Sequence, residues 1–492
     1  MKRFQRTGAS LIALCVSAGV AWADVTPEQV WEDWQATSRN WGQDMTAEST
    51  TREGDALIVR NVKVASDKDG ATMNGTIDQL TFREAQGGTV EVTASPDYPM
   101  TLTVVPEATL ETPHPEPLTM KVNLRNAGLV MRASGDPGAV RYDYDADTLA
   151  ITVDDMTEGG EDVAFGLEAV MNAVEGSYLS GDEVQSTMTA DTTDIAMTGG
   201  EAQNGGALNY HLKGVSVTST GTGMGAMGGG DLAEAVAGGM RMQAGFAYDS
   251  STYDFRIDAP DTTTEGKGTS GTGTLNFRAA PEGMVYSSDT ADATLTMRGG
   301  KIPFPVDLRM GRATSTTSMP VAKSNDPQPF ALALRLSEVT ASDAMWNAFD
   351  PNGALPRDPA DIALDLSGRG VMPTEGNPAP DAPTDVTINE LLIRLAGAEL
   401  TGTGEGTVTG PDRNTNPEAP PTVNGTLNLM LKGGNALIDN AIAAGLLPEQ
   451  QALGARMMLG MFSRPVTGQE DAVESRIEMR NGQLLVNGQR LQ

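Results

Sequence analysis

Apolar and polar residues alternate with a period of two through much of the chain, in short runs separated by Gly, Asp, Asn or Pro. Examples are ALIVRNVKV from residue 56, LTMKVNL from residue 118 and FALALRLSEV from residue 330. Such runs place one apolar and one polar face on each strand and favour antiparallel hairpins. We therefore predict a mainly β (α+β) fold: a long, curved antiparallel sheet or groove with short covering helices.

Two segments of the C-terminal part look alike. Residues 330–368 and 426–488 each follow the order strand, helix and strand, and the second closes with a hairpin predicted at Asn481-Gly482. We expect two related halves, residues 24–260 with a Trp-rich first helix and residues 261–492 with an apolar helical pair. The Thr/Gly-rich segment 261–272 is expected to be flexible.

The first helix is predicted from VTPEQVWEDWQ. Thr26 is a plausible N-cap, Pro27 occupies the first helical position, and Gln29 completes a capping box. Glu32 and Asp33 favour a plug on one end of the sheet over the alternative, an interfacial membrane contact. Helical spacing places four apolar residues on one face: Val30, Trp31, Trp34 and Trp41.

Further helices are predicted at residues 163–177, 231–240 and 342–351. The longest apolar stretch after the N-terminus, residues 433–462, predicts two more. Asn435 is expected to cap the first of these, which ends at Gly445, and Pro448 begins the second.

Candidate ligand residues lie mainly on that last helix. The stretch suits either ordinary core or a methionine-rich helix that lines or lids an apolar groove. The candidates for contact with an apolar ligand are Leu453, Met457, Met458, Met461, Phe462, Trp31 and Trp34.

The N-terminus predicts export. Three basic residues precede an apolar segment at 9–20 and an A-x-A site that ends at Ala23. We expect a signal peptide at residues 1–23, cleaved after Ala23, and a periplasmic mature protein. Cys15 is the only cysteine and lies in this leader. No second long apolar run follows, so no transmembrane segment is expected in the mature form.

The charge excludes one class of partner. Without the leader the chain carries 31 basic and 65 acidic residues, a net charge of −34. A nucleic-acid backbone would be repelled, and anionic lipid head groups are disfavoured.

Catalytic motifs are sparse. The two histidines, His114 and His211, belong to no recognisable motif, although a triad around His211 stays open. A glycine fingerprint at 223–228 lacks a βαβ context, and three aspartates at 143–147 make an imperfect calcium loop. We expect no enzyme, no metal and no cofactor.

Three stretches carry a family resemblance. VTPEQVWEDWQ, the strand-rich middle and residues 423–491 together resemble an uncharacterised exported bacterial family, domain-of-unknown-function family 2125. That family has no established activity, so the resemblance implies no catalytic residues. More loosely, LNLMLKGG with its helices and closing hairpin resembles the AsmA-like periplasmic β-groove proteins, which are implicated in lipid traffic and outer-membrane assembly.

Two functions follow as hypotheses. The first is a periplasmic protein that binds or carries a lipid or other apolar ligand in envelope biogenesis. The second is a structural or interaction protein of the cell envelope that has no small-molecule ligand and binds other envelope proteins.

Overall fold

A computed structural model describes residues 25–68, 70–106, 115–200, 204–223, 232–321, 324, 326–371, 383–410, 421–480 and 482–491. The predicted leader, His114, Asn481 and residues 224–228 of the glycine fingerprint lie outside these ranges. Within them, 27 strands form a single sheet with antiparallel pairing, and five short helices accompany it. The predicted mainly β class is confirmed.

The helices are α1 (Pro27–Asn40), α2 (Leu232–Ala237), α3 (Asp343–Phe349), α4 (Gly434–Ala443) and α5 (Glu449–Phe462). The strands of the N-terminal part are β1 (Asp44–Glu53), β2 (Ala56–Lys68), β3 (Ala71–Ala85), β4 (Thr89–Ala94), β5 (Asp97–Val104), β6 (Leu118–Ala127), β7 (Val130–Asp136), β8 (Ala139–Glu158), β9 (Glu161–Asp162), β10 (Phe165–Leu179), β11 (Glu183–Gly199), β12 (Gly206–Thr222), β13 (Arg241–Tyr248) and β14 (Ser250–Ala259). Those that follow are β15 (Thr262–Ser270), β16 (Gly273–Ala280), β17 (Gly283–Gly299), β18 (Val306–Met319), β19 (Gln328–Ala341), β20 (Ala360–Gly370), β21 (Thr384–Leu395), β22 (Ala398–Thr409), β23 (Thr422–Lys432), β24 (Arg464–Pro465), β25 (Ala472–Arg480), β26 (Gln483–Val486) and β27 (Gln489–Arg490).

The capping box at the start of α1 is confirmed. The backbone N–H of Gln29 donates to Thr26 Oγ1 at 3.3 Å, and Gln29 Oε1 accepts from the Thr26 N–H at 2.9 Å. Trp31 is buried against Phe82 of β3, with ring centroids 6.0 Å apart. The helix therefore plugs the core at the N-terminal end of the sheet. Trp41 is an exception, because it follows the helix and is exposed.

The prediction of a helix at residues 163–177 is wrong, because most of this segment belongs to strand β10. Met171 and Val174 belong to one core cluster although they are three residues apart. Ala173 between them has a left-handed φ of 51° and is skipped in the pairings with β8 and β11. Apolar residues three apart are also the spacing of a helix face, and this coincidence explains the error.

The prediction that residues 261–272 are flexible is also wrong, because nine of these residues form β15. The strand–helix–strand segments are confirmed: β19 pairs with β20 around α3, and β23 pairs with β25 around α4 and α5. β25 and β26 form the closing hairpin.

A second duplication appears only in the strand pairing. Two chains of antiparallel pairings link the long strand β3 to the long strand β8. One runs through β4 and β7, and the other runs through β5 and β6. The long strand β12 is connected to β17 in the same way, through β13 and β16 and through β14 and β15. The chain order of the four short strands is the same in both units, which indicates a repeated topology.

The buried core is unevenly distributed. Three clusters of buried apolar residues lie in the part of the sheet before β19, and the largest is the one under α1. Its most enclosed members include Leu80 and Phe82, each with no exposed surface. Among the described residues from β19 onward, no comparable cluster of large buried side chains occurs.

Candidate apolar binding surface

The C-terminal strands share one apolar face. Directly opposed residues of antiparallel strands point to the same side of a sheet, so the register assigns the face. One row across β19, β20, β21, β22, β23 and β25 is apolar in every strand: Leu336, Ile362, Ile393, Leu400, Leu431 and Val473. Two neighbouring rows begin at Leu334 and Leu332. Their members are Leu364, Leu391, Gly402, Leu429 and Ser475, and Leu366, Ile388, Gly404, Leu427 and Ile477. We call these three rows the open apolar face.

No large side chain of the open apolar face is buried. Ile362 and Ile393 are 39% and 40% exposed, and Leu332 and Leu334 are similar. Six strands at about 4.8 Å spacing make the face roughly 24 Å wide. A large contiguous apolar surface of this kind is typical of an interaction or ligand site.

Glycines let aliphatic side chains lie flat on this face. A Cβ at Gly402 would come within 2.8 Å of Leu429 Cδ2 and 3.2 Å of Leu391 Cδ2. The two leucines therefore cover the glycine backbone from both sides. The sequence pattern TGTGEG on β22 had indicated only a strand, and this role of its glycines was missed.

The opposite face of the same strands is charged. Arg394 donates to Asp361 at 2.6 Å and to Glu399 at 2.7 Å, and Lys432 Nζ lies 3.6 Å from the carboxylate of Glu399. The hydrogen bond from Arg394 lowers the pKa of Glu399, so this carboxylate stays ionised. The C-terminal sheet is therefore amphipathic, with its solvated side identified by ion pairs.

Helices α4 and α5 lie at one end of the open apolar face. A Cβ at Gly434, the first residue of α4, would lie 2.8 Å from Leu431 Cδ2 and 3.6 Å from Leu459 Cδ2. Leu459 of α5 therefore approaches the face, and Ala452 on the same helix is buried. Neither residue was among the sequence candidates.

Asn435 does not cap α4, contrary to prediction. Gly433 is the N-cap residue, and Asp471 caps the helix from across the chain. The Asp471 carboxylate accepts from the backbone N–H groups of Asn435 at 3.0 Å and Ala436 at 2.9 Å. Gly445 with its positive φ and Pro448 end one helix and begin the next as predicted.

The predicted ligand residues of α5 point mainly to solvent. Met457 is 67% exposed, Leu453, Met458 and Met461 are also exposed, and Phe462 is partly buried. The alternative that this apolar stretch is ordinary core is therefore wrong for Leu453, Met457, Met458 and Met461, which we call the methionine ridge. The ridge forms an outer surface of α5 rather than a lining of the open apolar face.

The two tryptophan candidates lie elsewhere. Trp31 and Trp34 both contact Phe82, at the end of the sheet that α1 covers. Trp31 is too buried to meet a ligand, and Trp34 is partly exposed. The structure does not bring these residues together with those of α5.

His211 and the aspartates of the other candidate chemistries lie on strands of the sheet. His211 Nδ1 lies 2.6 Å from Asp194 Oδ1, and Thr252 is the residue opposite His211 on β14. The aspartates at 143–147 lie along the continuous strand β8 and not in a calcium-binding loop. In the ranges that the structure describes, no three His, Cys, Asp or Glu side chains are close enough to hold a metal ion.

Comparison with known proteins identifies a family. The family model described as "Uncharacterized protein conserved in bacteria (DUF2125)" matches residues 241–491. The chain belongs to this family. The matched segment begins at β13 and includes the open apolar face with both C-terminal helices. The looser AsmA-like resemblance gains no support from these comparisons and stays a hypothesis.

No curated protein and no solved structure matches the chain. Of the helices in the described ranges, none is long and apolar enough to span a bilayer.

Proposed function

We propose that this protein is a non-enzymatic, exported protein of the bacterial periplasm that binds a lipid or another apolar ligand on its open apolar face. One observation carries the proposal: a row of six apolar residues crosses six strands without being buried. Covering this surface with hydrocarbon would remove it from water, at about 25 cal/mol per Å².

The dimensions of the face suit an acyl chain. Its width of roughly 24 Å exceeds the ~15 Å that one leaflet of a bilayer's hydrocarbon core requires. Its lining is aliphatic, with only Ser475 as a polar side chain in the three rows. Such a lining selects for hydrocarbon rather than for a particular head group.

The first test is native mass spectrometry of the mature protein from a periplasmic preparation, with lipid extraction of the same sample. We expect a bound lipid in stoichiometric amount. Ile393→Asp should abolish it, because a carboxylate in the middle of the apolar row would be desolvated by the ligand. Thr387→Asp is the matched control, because Thr387 is exposed on the opposite face of the same strand.

Uptake of a fluorescent fatty acid, cis-parinaric acid, gives an independent measure with the same variants. An apo mass combined with no uptake by the wild type would contradict the proposal. That result would favour the alternative, a structural protein of the envelope whose open apolar face is covered by a protein partner.

A further inference from the structure

A second surface, remote from the open apolar face, is rich in aromatic residues. A cleft of about 330 Å³ lies between α1, the start of β1 and the strands β7, β8 and β10. Five aromatic side chains line it: Trp34, Trp41, Tyr142, Tyr144 and Tyr178. We call it the aromatic cleft. Trp41 is 45% exposed, so the aromatic wall on one side reaches solvent.

The rings form a connected wall. The ring centroid of Tyr142 lies 6.3 Å from that of Trp34 and 6.2 Å from that of Tyr178. Aromatic rings carry partial negative charge on their faces, and several rings around one space attract a cation. The flexible thioethers of Met45 and Met131 also line the cleft, beside the polar residues Thr37, Ser38 and Gln43.

A carboxylate lies in the same wall. Asp33 Oδ2 accepts from the Tyr142 hydroxyl at 2.7 Å, and Asp33 Oδ1 accepts from Ser180 Oγ at 3.1 Å. Burial and the hydrogen bond to Asp33 both raise the pKa of Tyr142, so its hydroxyl stays a donor to this carboxylate. The described residues that line the cleft include neither Lys nor Arg.

The surroundings are acidic as well. A neighbouring cleft of about 550 Å³ shares Trp41 and Tyr178 with the aromatic cleft and adds Asp182 and Glu183. The net charge of the whole chain is −31. Both the local and the long-range fields therefore attract cations to this end of the molecule.

We propose that the aromatic cleft binds a quaternary ammonium group. A primary ammonium has three N–H donors that each need an acceptor, whereas Asp33 is the one carboxylate of the described lining and already accepts from Tyr142 and Ser180. A methylated ammonium has no such donors and suits a cleft lined mainly by aromatic rings and thioethers. The group belongs either to a free solute such as choline or to the head group of a choline lipid.

The test is a titration of the full mature protein with choline and with tetramethylammonium chloride, followed by tryptophan fluorescence and calorimetry. Both cations should bind, and 3,3-dimethylbutan-1-ol, the neutral isostere of choline, should bind at least tenfold more weakly. Equal affinity for choline and the neutral isostere would overturn the proposal, and so would no binding of either cation.

Variants locate the site. Trp41→Leu should weaken choline binding about tenfold, and it leaves the buried core under α1 intact because Trp41 is exposed. Trp346→Leu is the matched control, since Trp346 lies on α3 and contacts Phe349. Asp33→Asn should weaken choline binding more than Trp41→Leu does, because it removes the negative charge of the cleft wall. Unchanged affinity in Trp41→Leu would assign any choline binding to another place and overturn the proposal.

Vesicles distinguish the two sources of the group. Binding to dioleoylphosphatidylcholine vesicles, but not to dioleoylphosphatidylglycerol vesicles, with displacement by free choline would assign a lipid head group. Binding of free choline with no binding to either vesicle would assign a small solute. Binding of neither choline nor phosphatidylcholine would again overturn the proposal. Binding of free choline and its loss in Trp41→Leu do not depend on the open apolar face, so this proposal and the proposed function can fail separately.

Discussion

Ile362 of β20 and Ile393 of β21 lie directly opposite each other in an apolar row, yet both remain about two-fifths exposed. At the other end of the sheet, Leu80 of β3 has no exposed surface under the plug that α1 provides. The same alternating pattern thus produces a covered core in one region and an uncovered surface in the other. The difference lies in what packs on the sheet.

The uncovered face should tolerate truncation better than the core. Leu80→Ala should lower the free energy of unfolding by about 2–5 kcal/mol, because it leaves a cavity in a closed core. Ile393→Ala should cost about 1 kcal/mol or less, since its side chain already meets water. Guanidinium denaturation of both variants measures the difference. Equal losses would contradict the open state of the face.

The strained residue of β10 offers a stabilising substitution. Ala173 has a φ of 51°, a conformation that glycine adopts without steric cost. Ala173→Gly should therefore raise the free energy of unfolding by about 0.5–1 kcal/mol. Ala169→Gly on the same strand is the control and should lower it by about the same amount. A loss of stability in Ala173→Gly would argue against the kink at this position.

The orientation of α5 can be tested with glutamine, a good helix former. Met457→Gln should change the free energy of unfolding by no more than about 0.5 kcal/mol, because Met457 is exposed. Ala452→Gln should cost more than about 1 kcal/mol, because Ala452 is buried and the larger side chain overpacks its site. Thermal melting of the two variants compares them. The reverse order would place the methionine ridge in the core.

The cap of α4 predicts a pH dependence. Burial alone would raise the pKa of Asp471, but hydrogen bonds from Ala436 and Asn435 outweigh it and hold the pKa below its ordinary value. The stability that this carboxylate contributes is therefore complete above about pH 4, its unfolded pKa. It is lost as the pH falls through the lower folded pKa.

Asp471→Asn should accordingly be less stable than the wild type at pH 7, and the gap should narrow as the pH falls below about 4. Urea midpoints at several pH values measure this gap. Glu470→Gln is the control, since Glu470 is the exposed acidic neighbour in the chain. A gap that stays constant down to the acid limit would show that the charge of Asp471 contributes nothing to the cap.

Several local features could be predicted because their causes are local. The capping box of α1 depends on Thr26 and Gln29 alone, and the break between α4 and α5 depends on Gly445 and Pro448. The alternation in FALALRLSEV likewise identified the strand that became β19. In each case the residues that determine the structure are a few positions apart in the chain.

Other features depended on distant residues. Asp471 caps a helix that begins 37 positions earlier, so no inspection of residues 433–436 could have identified it. The irregularity at Ala173 lies where the pairings with both β8 and β11 skip one residue, and in the sequence it resembles a helix. Tertiary pairing thus overrode the local pattern at both places.

The sequence by itself determined the mainly β class, the plugging helix and the positions of the C-terminal helices, because periodicity and capping act over short range. Only the tertiary structure decided which apolar residues are covered. The rows containing Leu80 and Ile393 are indistinguishable as patterns, but α1 packs on the first and no described element encloses the second. Burial depends on tertiary packing between segments that are distant in the chain. The alternation along one strand carries no information about that packing.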